Sequence, residues 1–273
     1  MGAVSFHVLR FNRASPRYES EAGIQFRMAG RLLDLLDTEG EGPEFSSLLE
    51  FGCGTGILTR KLRKRFPKAF ILATDAAPAM LAEAAASLAE KTADKTGSLE
   101  FAPQNAEGFA EISRKISARA PFDAAASNAL VQWFPDLENH LRLAWRLTRP
   151  KGAYLLSGFE HSNFPELNSL LSEPPFSYRS FPGHDSGNIS ALGAKAGWKL
   201  EAVETWEEKE TLPSARDILR RLQSLGSTRD PAKGGRLNRR SLQHLISEYE
   251  RRFSGPGGVR LTWRPWVARL TRN

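Results

Sequence analysis

The segment LLEFGCGTG, residues 48–56, constrains the fold of this chain more than any other. An apolar run typical of a buried strand leads directly into Gly52, Gly54 and Gly56, and a helical pattern follows from Ile57. Closely spaced glycines let the backbone turn tightly and approach a ligand, while the start of a helix offers free N–H groups. The spacing predicts a nucleotide-binding turn, although the glycines alone also fit a structural loop without a ligand.

Strand and helix patterns alternate along the chain, which favours a doubly wound α/β fold with a mostly parallel sheet. The clearest elements are a helix over residues 19–36, a strand that ends at Asp75, a strand over residues 122–127 and a helix over residues 137–147. The terminal extended segment, residues 258–270, is placed to be an antiparallel edge strand.

A chain of 273 residues falls within the size range of one large domain, or of one domain that carries an inserted lid. We therefore expect a single domain over residues 1–273. Its parts are an N-terminal capping segment and helix over residues 1–36, a core over residues 45–212 and 256–273, and a helical insertion over residues 213–255.

The pattern between residues 213 and 255 predicts two amphipathic helices that form a basic lid. Ser214 and Asp217 have capping-box-like spacing at the start of the first helix, and Asn238 caps the second. From Arg216 to the last residue there are fourteen Lys or Arg against four Asp or Glu. A concentrated positive surface indicates an acidic partner, and a solvated helix surface is the alternative. The arginines expected on the outer faces are Arg220, Arg221, Arg239, Arg240, Arg251 and Arg252, and the first four are the expected partner-binding residues.

The composition indicates a soluble protein of a reducing compartment. No stretch approaches the length of a membrane span, and residues 1–18 lack the charged start and long apolar run of a secretory signal. Cys53 is the only cysteine, so no internal disulfide can form, and no Cys/His cluster has metal-ligand spacing. We therefore expect a cytoplasmic protein without a metal site.

Two acidic residues accompany the glycine turn. Glu50 lies at the place where the phosphates of a dinucleotide would be stabilised by the N-terminus of the helix. Asp75 follows Gly56 by nineteen residues, at the end of the next strand. An acid at about that separation is placed for ribose hydroxyls. The two acids together indicate a ligand with a ribose and a cationic amino-acid end rather than phosphates. On these residues the segment 48–159 resembles the seven-stranded S-adenosylmethionine methyltransferases.

This resemblance implies a seven-stranded sheet and S-adenosylmethionine as the cofactor, with Glu50 and the glycine turn at its methionine part and Asp75 at the two ribose hydroxyls. Residues 104–107, QNAE, look like the family's adenine contact, with Asn105 in place of the usual Asp. Asn128 follows the fourth strand beneath the expected methyl-transfer point, and a capping or turn role is its alternative. The full set of expected cofactor residues is Glu50, Gly52, Gly54, Thr55, Gly56, Asp75, Ala76, Asn105, Ala106, Glu107 and Asn128.

After the fourth strand the chain reads SNALVQWF, which differs from the N/D-P-P-Y/F motif of the amino-group methylases of this fold. Over nearly its whole length the chain instead resembles the malonyl-acyl-carrier-protein O-methyltransferases of biotin synthesis. The stretches that carry this resemblance are FNRASPRYE at 11–19, Gln25, SNALVQWFPDL at 127–137, ILRRLQSLGSTR at 218–229 and GVRLTWRPWVAR at 258–269.

The resemblance implies that the partner is an acyl carrier protein that carries a malonyl thioester, and an acidic carrier suits the basic insertion. A malonyl carboxylate is already ionised at neutral pH, so no general base is required. Tyr18, Gln132 and Trp133 are candidates for shaping the acceptor pocket, with ordinary packing as the alternative. An RNA methyltransferase whose arginine-rich end tracks phosphates is the second hypothesis, and a non-catalytic binding subunit is the third.

Overall fold

The structure, a computed structural model, describes residues 6–36, 43–89, 97–106, 113–176, 183–225 and 238–273. None of the described helices is long and apolar enough to cross a lipid bilayer. The described α-helices are α1 (Phe6–Glu21), α2 (Gly23–Asp34), α3 (Ile57–Arg65), α4 (Pro78–Ala89), α5 (Arg114–Ser117), α6 (Leu137–Leu147), α7 (Pro165–Ser172), α8 (Ile189–Lys195), α9 (Ala215–Ser224) and α10 (Arg239–Phe253). The described strands are β1 (Ser47–Phe51), β2 (Phe70–Asp75), β3 (Leu99–Pro103), β4 (Phe122–Ser127), β5 (Thr148–Phe159), β6 (Trp198–Thr205), β7 (Glu208–Leu212), β8 (Ser254–Gly255), β9 (Gly258–Trp263) and β10 (Pro265–Arg272).

Seven of the described strands form one sheet in the order β3-β2-β1-β4-β5-β10-β6. β1 pairs in parallel with β2 and β4, and those strands pair in parallel with β3 and β5 respectively. β10 runs antiparallel to both β5 and β6. This is the doubly wound, mostly parallel sheet that the sequence predicted. The chain order reverses between β1 and β4, and ligands of open α/β sheets bind at the carboxyl ends of the strands beside such a switch point.

The central strands are buried on both faces of the sheet. Leu48 and Leu155 belong to an apolar layer that also contains residues of α2 and α3, whereas Leu49 and Leu156 belong to a second layer with α6 and α8. Successive side chains of a strand point to opposite faces, so a strand covered on both sides needs apolar residues at consecutive positions. The continuous apolar runs in the sequence follow from this double coverage.

The terminal segment over residues 258–270 is not one edge strand, and this expectation is corrected. β9 joins a separate sheet with the order β7-β9-β8, and β10 is the penultimate strand of the large sheet. Trp266, Val267 and Ala268 are fully buried, as an inner strand requires. β6 lies outside β10 and most of its residues are at least partly exposed, so the antiparallel pair β10–β6 forms this edge.

The N-terminal helical region contains two helices, so the single helix predicted over residues 19–36 is also corrected. The helix is interrupted at Ala22, where the backbone has φ −87° and ψ 32°. The apolar stripe that indicated one helix belongs to α2, whose Ile24, Met28 and Leu32 are fully buried. The signal for α1 is weaker because Arg, Asn, Ser and Pro residues interrupt its apolar pattern.

The predicted insertion contains α9 and α10, while its middle, residues 226–237, lies outside the described residues. α9 packs against α1 and α10, and α10 packs against α7. Ser214 caps α9 by accepting from the main-chain N–H of Asp217, and Asn238 caps α10 by accepting from that of Ser241. The sequence therefore located both helix starts.

The four arginines of the insertion that were predicted to bind the partner lie in two kinds of environment. Arg239 and Arg240 are exposed at the start of α10, and Arg220 is exposed in an ion pair with an aspartate three residues earlier. The prediction of an outer-face position is wrong for Arg221, because its guanidinium lies 3.0 Å from the Glu210 carboxylate and its side chain is only 20% exposed. It points inward because α9 packs against α1 and β7.

Candidate active site

The turn between β1 and α3 has a left-handed backbone that glycine adopts readily. Gly52, Gly54 and Gly56 have φ values of 64°, 54° and 88°. A Cβ atom at Gly54 would meet no heavy atom of the described part of the chain within 4 Å, whereas one at Gly56 would lie 3.2 Å from Leu88 and 3.4 Å from Ala84, both in α4. Gly54 therefore leaves open space beside the turn, and Gly56 allows α3 to begin close to α4.

Glu50 lies in β1, buried behind this turn. Its carboxylate accepts a 2.6 Å hydrogen bond from the hydroxyl of Thr59 in α3. Burial raises the pKa of Glu50 to about 8 against the opposing effect of that hydrogen bond, and the Asp75 carboxylate adds to the rise. A nearby cation favours the charged form of a carboxyl group, so a positive ligand group would ionise Glu50.

Asp75 ends β2 and lies beside the same turn. Its Oδ2 accepts from the Gly54 N–H at 2.9 Å, and its Oδ1 accepts from the Ala77 N–H at 2.8 Å. Burial raises the pKa of this carboxyl group, while the main-chain N–H donors oppose the rise. Each carboxylate oxygen can accept more than one hydrogen bond. Asp75 therefore fixes the turn and retains lone pairs for ligand hydroxyls.

A cavity of about 740 Å³, including its open mouth, lies where β1, β2, β3 and β4 end. α1 extends along one side of it and contributes Val8 and Phe11. The strand ends that the sequence indicated therefore meet at one place. The predicted residues that line this cavity are Tyr18, Gly52, Gly54, Asp75, Ala76, Asn105, Ala106, Asn128 and Trp133.

Three predicted cofactor residues are not among the residues that line the cavity. Glu50 and Thr55 are buried behind the turn, and Gly56 packs against α4. The Thr55 hydroxyl oxygen is buried and has no hydrogen-bond partner among the described residues. Direct contact of these three residues with a ligand stays a prediction. Glu107 lies outside the described residues.

Asn128 is held on both sides by other parts of the fold. Its Nδ2 donates to the main-chain carbonyl of Gln25 in α2 at 2.9 Å, and its Oδ1 accepts from the hydroxyl of Ser157 in β5 at 2.8 Å. Ser157 Oγ also accepts from the Ala129 N–H. The Asn128 amide therefore joins α2, β4 and β5 beside the cavity, a structural role that differs from the capping or turn role that was its alternative, and its contact with a cofactor stays a prediction.

A buried hydrogen-bond network supports Ala106. His140 Nδ1 lies 2.7 Å from the Ala106 carbonyl oxygen, and its Nε2 lies 2.6 Å from the Tyr154 hydroxyl. A carbonyl can only accept, so Nδ1 donates and Nε2 accepts from Tyr154. The Tyr154 oxygen then accepts from the hydroxyl of Ser127 at 2.9 Å. Burial lowers the pKa of His140 to about 4, so the imidazole is neutral at pH 7.

A second chamber of about 400 Å³, including open space at its mouth, adjoins the cavity. The two spaces share Phe11, Tyr18, Ala129 and Trp133. The described residues that line the chamber include aromatic rings and three side-chain amides, and none of them is charged. The lining residues beyond the shared four are Gln25, Gln132, Phe159, Asn163, Phe164, Leu225 and Trp263.

Tyr18, Gln132 and Trp133, the candidates for an acceptor pocket, all lie at this second chamber. Burial, together with the Asp75 charge, raises the pKa of Tyr18 well above its usual range, so its hydroxyl stays protonated. Trp133 packs edge to face on Phe11, with 5.6 Å between ring centroids. The structure brings the three candidates together, and their contact with an acceptor stays a prediction.

Several lining residues were not predicted from the sequence. Phe11 and Gln25 belong to stretches that carried the resemblance, and that was the only signal for them. Phe164 and Trp263 meet at 4.7 Å between ring centroids, although about a hundred residues separate them in the chain. No local periodicity identifies such a pair, because the contact depends on tertiary packing.

Comparison with known proteins assigns this fold and cavity to a class. Residues 49–154 match the family model of a methyltransferase domain. A malonyl-[acyl-carrier protein] O-methyltransferase of Porphyromonas gingivalis is 30% identical over 94% of this chain and 92% of its own length. A protein of the same name from Bacillus anthracis is 26% identical over 96% of this chain and 95% of its own length.

Solved structures share the fold at low sequence identity. The YcgJ protein of Bacillus subtilis has a TM-score of 0.61 at 13% identity and covers 90% of this chain and 98% of its own. The BH2331 protein of Bacillus halodurans has a TM-score of 0.60 at 14% identity, with 89% and 98% covered. The [4+2]-cyclase SpnF also matches, with a TM-score of 0.54 at 15% identity and 89% and 80% covered. The fold alone therefore does not determine the reaction.

The sheet order, the cavity at the strand ends and the sequence relatives agree. The chain belongs to the class I S-adenosylmethionine-dependent methyltransferases, and its cofactor is S-adenosylmethionine. Within this class, the full-length relatives described above are proteins named malonyl-[acyl-carrier protein] O-methyltransferase.

Proposed function

We propose that this protein methylates the free carboxylate of a malonyl thioester carried on acyl carrier protein, an early step of biotin synthesis. The observation that carries the proposal is the neutral second chamber beside the cofactor cavity. Tyr18 and Trp133 line both spaces, so an acceptor in the chamber would lie against the cofactor. The relatives of that name, matched along nearly the whole chain, support the same acceptor.

The cavity residues fit S-adenosylmethionine. The open space at Gly54 leaves room for a ligand beside the turn, and Asp75 retains lone pairs suited to two ribose hydroxyls. Asn105 and Ala106 follow β3, where the resemblance places the adenine. When bound, the cofactor supplies an electrophilic methyl group on a positively charged sulfur.

The proposed reaction requires alignment and desolvation of the acceptor rather than proton transfer. Carboxylic acids titrate near pH 4, so the acceptor is already ionised at pH 7. Phe11 and Tyr18 of α1 exclude water from one side of both spaces. No cation lines the described part of the chamber, so no ion pair would hold the acceptor carboxylate away from the methyl group, and the positively charged sulfur of the bound cofactor would favour its ionised form. Alignment of this kind contributes roughly 7–11 kcal/mol when the geometry is good.

The basic insertion is the proposed docking surface for the carrier protein. α9 ends beside the chamber, where Leu225 is a lining residue, and Arg239 and Arg240 are exposed at the start of α10. Arg220 is also exposed, whereas Arg221 is omitted because Glu210 engages it. Charges at the rim of an interface act mainly on the association rate. An acidic carrier would therefore be steered towards the chamber.

The test is mass spectrometry of malonyl carrier protein incubated with the purified protein and S-adenosylmethionine. We expect the gain of one methyl group on the malonyl carrier. Acetyl carrier protein, which has no free carboxylate, is the matched control and should gain none. An unchanged malonyl carrier would contradict the proposal.

Total RNA under the same conditions tests the second hypothesis. Methyl transfer to RNA and not to the malonyl carrier would contradict the proposed acceptor and support an RNA methyltransferase. Isothermal titration with S-adenosylmethionine tests the third hypothesis, since a non-catalytic subunit that had lost the cofactor would show no binding.

A further inference from the structure

Two amide oxygens at the second chamber have no hydrogen-bond donor among the residues that the structure describes. Oε1 of Gln25 and Oε1 of Gln132 are buried and have no partner in the described segments, and their residues are only 5% and 7% exposed. Burial of a polar atom without a partner costs free energy, so such atoms are rare in native proteins and each requires an explanation. Both residues line the chamber, where a bound molecule can supply the missing donors.

The neighbouring contacts distinguish these two amides from the third amide of the chamber. Nε2 of Gln132 donates to the Ala129 carbonyl at 2.6 Å, which leaves Oε1 as the free end of that amide. Within the described part of the chain, the Gln25 side chain takes part in no hydrogen bond. Asn163, in contrast, uses its Oδ1 to accept from the Arg264 N–H at 2.8 Å. Of the three amides in the described lining of the chamber, the two glutamines are therefore the ones whose oxygen lacks a donor.

The chamber lining indicates the chemistry of the missing donor. No carboxylate lines its described part, so nothing there favours an ammonium ion over a neutral N–H or O–H. Aromatic residues such as Phe164 and Trp263 surround the amides and suit apolar chain segments. A secondary amide supplies a neutral N–H donor between apolar chain segments. The arm that bears a thioester on a carrier protein contains such amides.

We propose that Gln25 and Gln132 determine acceptor specificity by accepting hydrogen bonds from amide N–H groups of the thioester arm. The inference rests on the proposed function and names the part of the acceptor that the second chamber recognises. A site that hydrogen-bonds a substrate N–H discriminates strongly against an analogue that lacks it, because the buried acceptor is then left unpaired.

The experiment compares two small malonyl thioesters. One is the thioester of N-acetylcysteamine, and in the other an ester oxygen replaces the amide N–H. We expect kcat/KM of the unaltered protein to be about tenfold higher for the amide compound. In Gln25→Met and Gln132→Met, which keep the side-chain length and remove the oxygen, that ratio should fall towards one.

Gln223→Met is the matched control, because Gln223 is exposed on α9 and does not line the chamber, and its ratio should equal that of the unaltered protein. Gln25→Met removes no described hydrogen bond, so it remains informative if Gln132→Met does not fold. Equal rates with both thioesters, or a preference that persists in the Met variants, would overturn the specificity assignment alone. Failure to methylate either thioester or malonyl carrier protein would instead overturn the proposed function, and this assignment with it.

Discussion

The cofactor cavity and the second chamber are built in different ways. The cavity is lined by short segments at strand ends, such as Gly54 after β1 and Asp75 at the end of β2, and hydrogen bonds from main-chain N–H groups to the Asp75 carboxylate hold them in place. The chamber is lined by side chains from distant elements, such as Gln25 and Trp263. The cavity therefore depends on a few positions, whereas the acceptor that the chamber binds can change through substitution of single side chains.

Asp75→Ala should produce the largest effect on the cavity. The variant removes the acceptor of two main-chain N–H groups and the expected partner of two ribose hydroxyls. Charge-assisted hydrogen bonds contribute about 1.5–3 kcal/mol each, so we expect the affinity for S-adenosylmethionine to fall by roughly two to four orders of magnitude. Isothermal titration measures this. Asp75→Asn keeps one acceptor oxygen and should lose less, and an unchanged dissociation constant in Asp75→Ala would refute the assignment.

The buried hydrogen-bond network of His140, which supports Ala106 at the cavity, makes the free energy of unfolding of the protein depend on pH. Burial lowers the pKa of His140 to about 4, whereas an unfolded histidine titrates near 6.5. Below pH 6.5 the unfolded chain therefore binds a proton that the folded chain does not. This contribution to stability is complete above pH 6.5 and is lost as the pH falls towards 4, and the loss amounts to about 2 kcal/mol at pH 5.

Urea unfolding of the unaltered protein and of His140→Gln at pH 7 and pH 5 checks this pH dependence. Gln can still donate to Ala106 and accept from Tyr154, but it does not titrate. We expect the free energy of unfolding to fall less between the two pH values in His140→Gln. An equal fall in both proteins would assign the pH dependence to other groups.

The paired variants Gly54→Ala and Gly56→Ala separate binding from stability within one turn. Both residues have positive φ, so each alanine costs roughly 1–2 kcal/mol of backbone strain. A Cβ at Gly54 enters open space at the cavity, whereas one at Gly56 meets Ala84 and Leu88. We expect Gly54→Ala to weaken cofactor affinity more and Gly56→Ala to lower the unfolding free energy more. Isothermal titration with S-adenosylmethionine measures the affinity of each variant, and thermal unfolding measures its stability. Equal affinities and equal stabilities of the two variants would contradict this expectation.

The sequence predicted most of the cavity because its parts are local. A glycine turn after an apolar strand and an acid at the end of the next strand have fixed spacings, and parallel strands bring such ends to one edge. The separate roles of the glycines in the turn could not be predicted from the sequence. Gly54 and Gly56 are equivalent in the sequence, and only the contacts of α4 show that Gly56 serves packing.

The chamber and the end of the sheet were harder to predict for a related reason. Phe164 and Trp263 acquire their positions through tertiary packing, so no short pattern contains them. An apolar run such as PWVARL over residues 265–270 fits an inner strand as well as a half-buried edge strand. The sequence indicated a strand there, but its neighbours β5 and β6 are separated from it along the chain.

The smallest expected effect concerns the surface beside the chamber. In Arg239→Glu/Arg240→Glu, two exposed charges of the proposed docking surface are reversed. Lys64→Glu/Arg114→Glu is the matched control, because both residues are exposed on α3 and α5, outside the insertion. We expect kcat/KM with malonyl carrier protein to fall about threefold to tenfold at low salt in the first variant and little in the control.

Salt and substrate size distinguish docking from damage to the site. Screening weakens interactions between exposed charges, so the first variant and the unaltered protein should converge as ionic strength rises. A small malonyl thioester makes no contact with a distant surface, so its kcat/KM should be nearly equal in all three proteins. Equal losses with the small thioester and with the carrier would mean that the substitutions disturb the chamber, since α9 and α10 pack against each other and Leu225 lies at its wall.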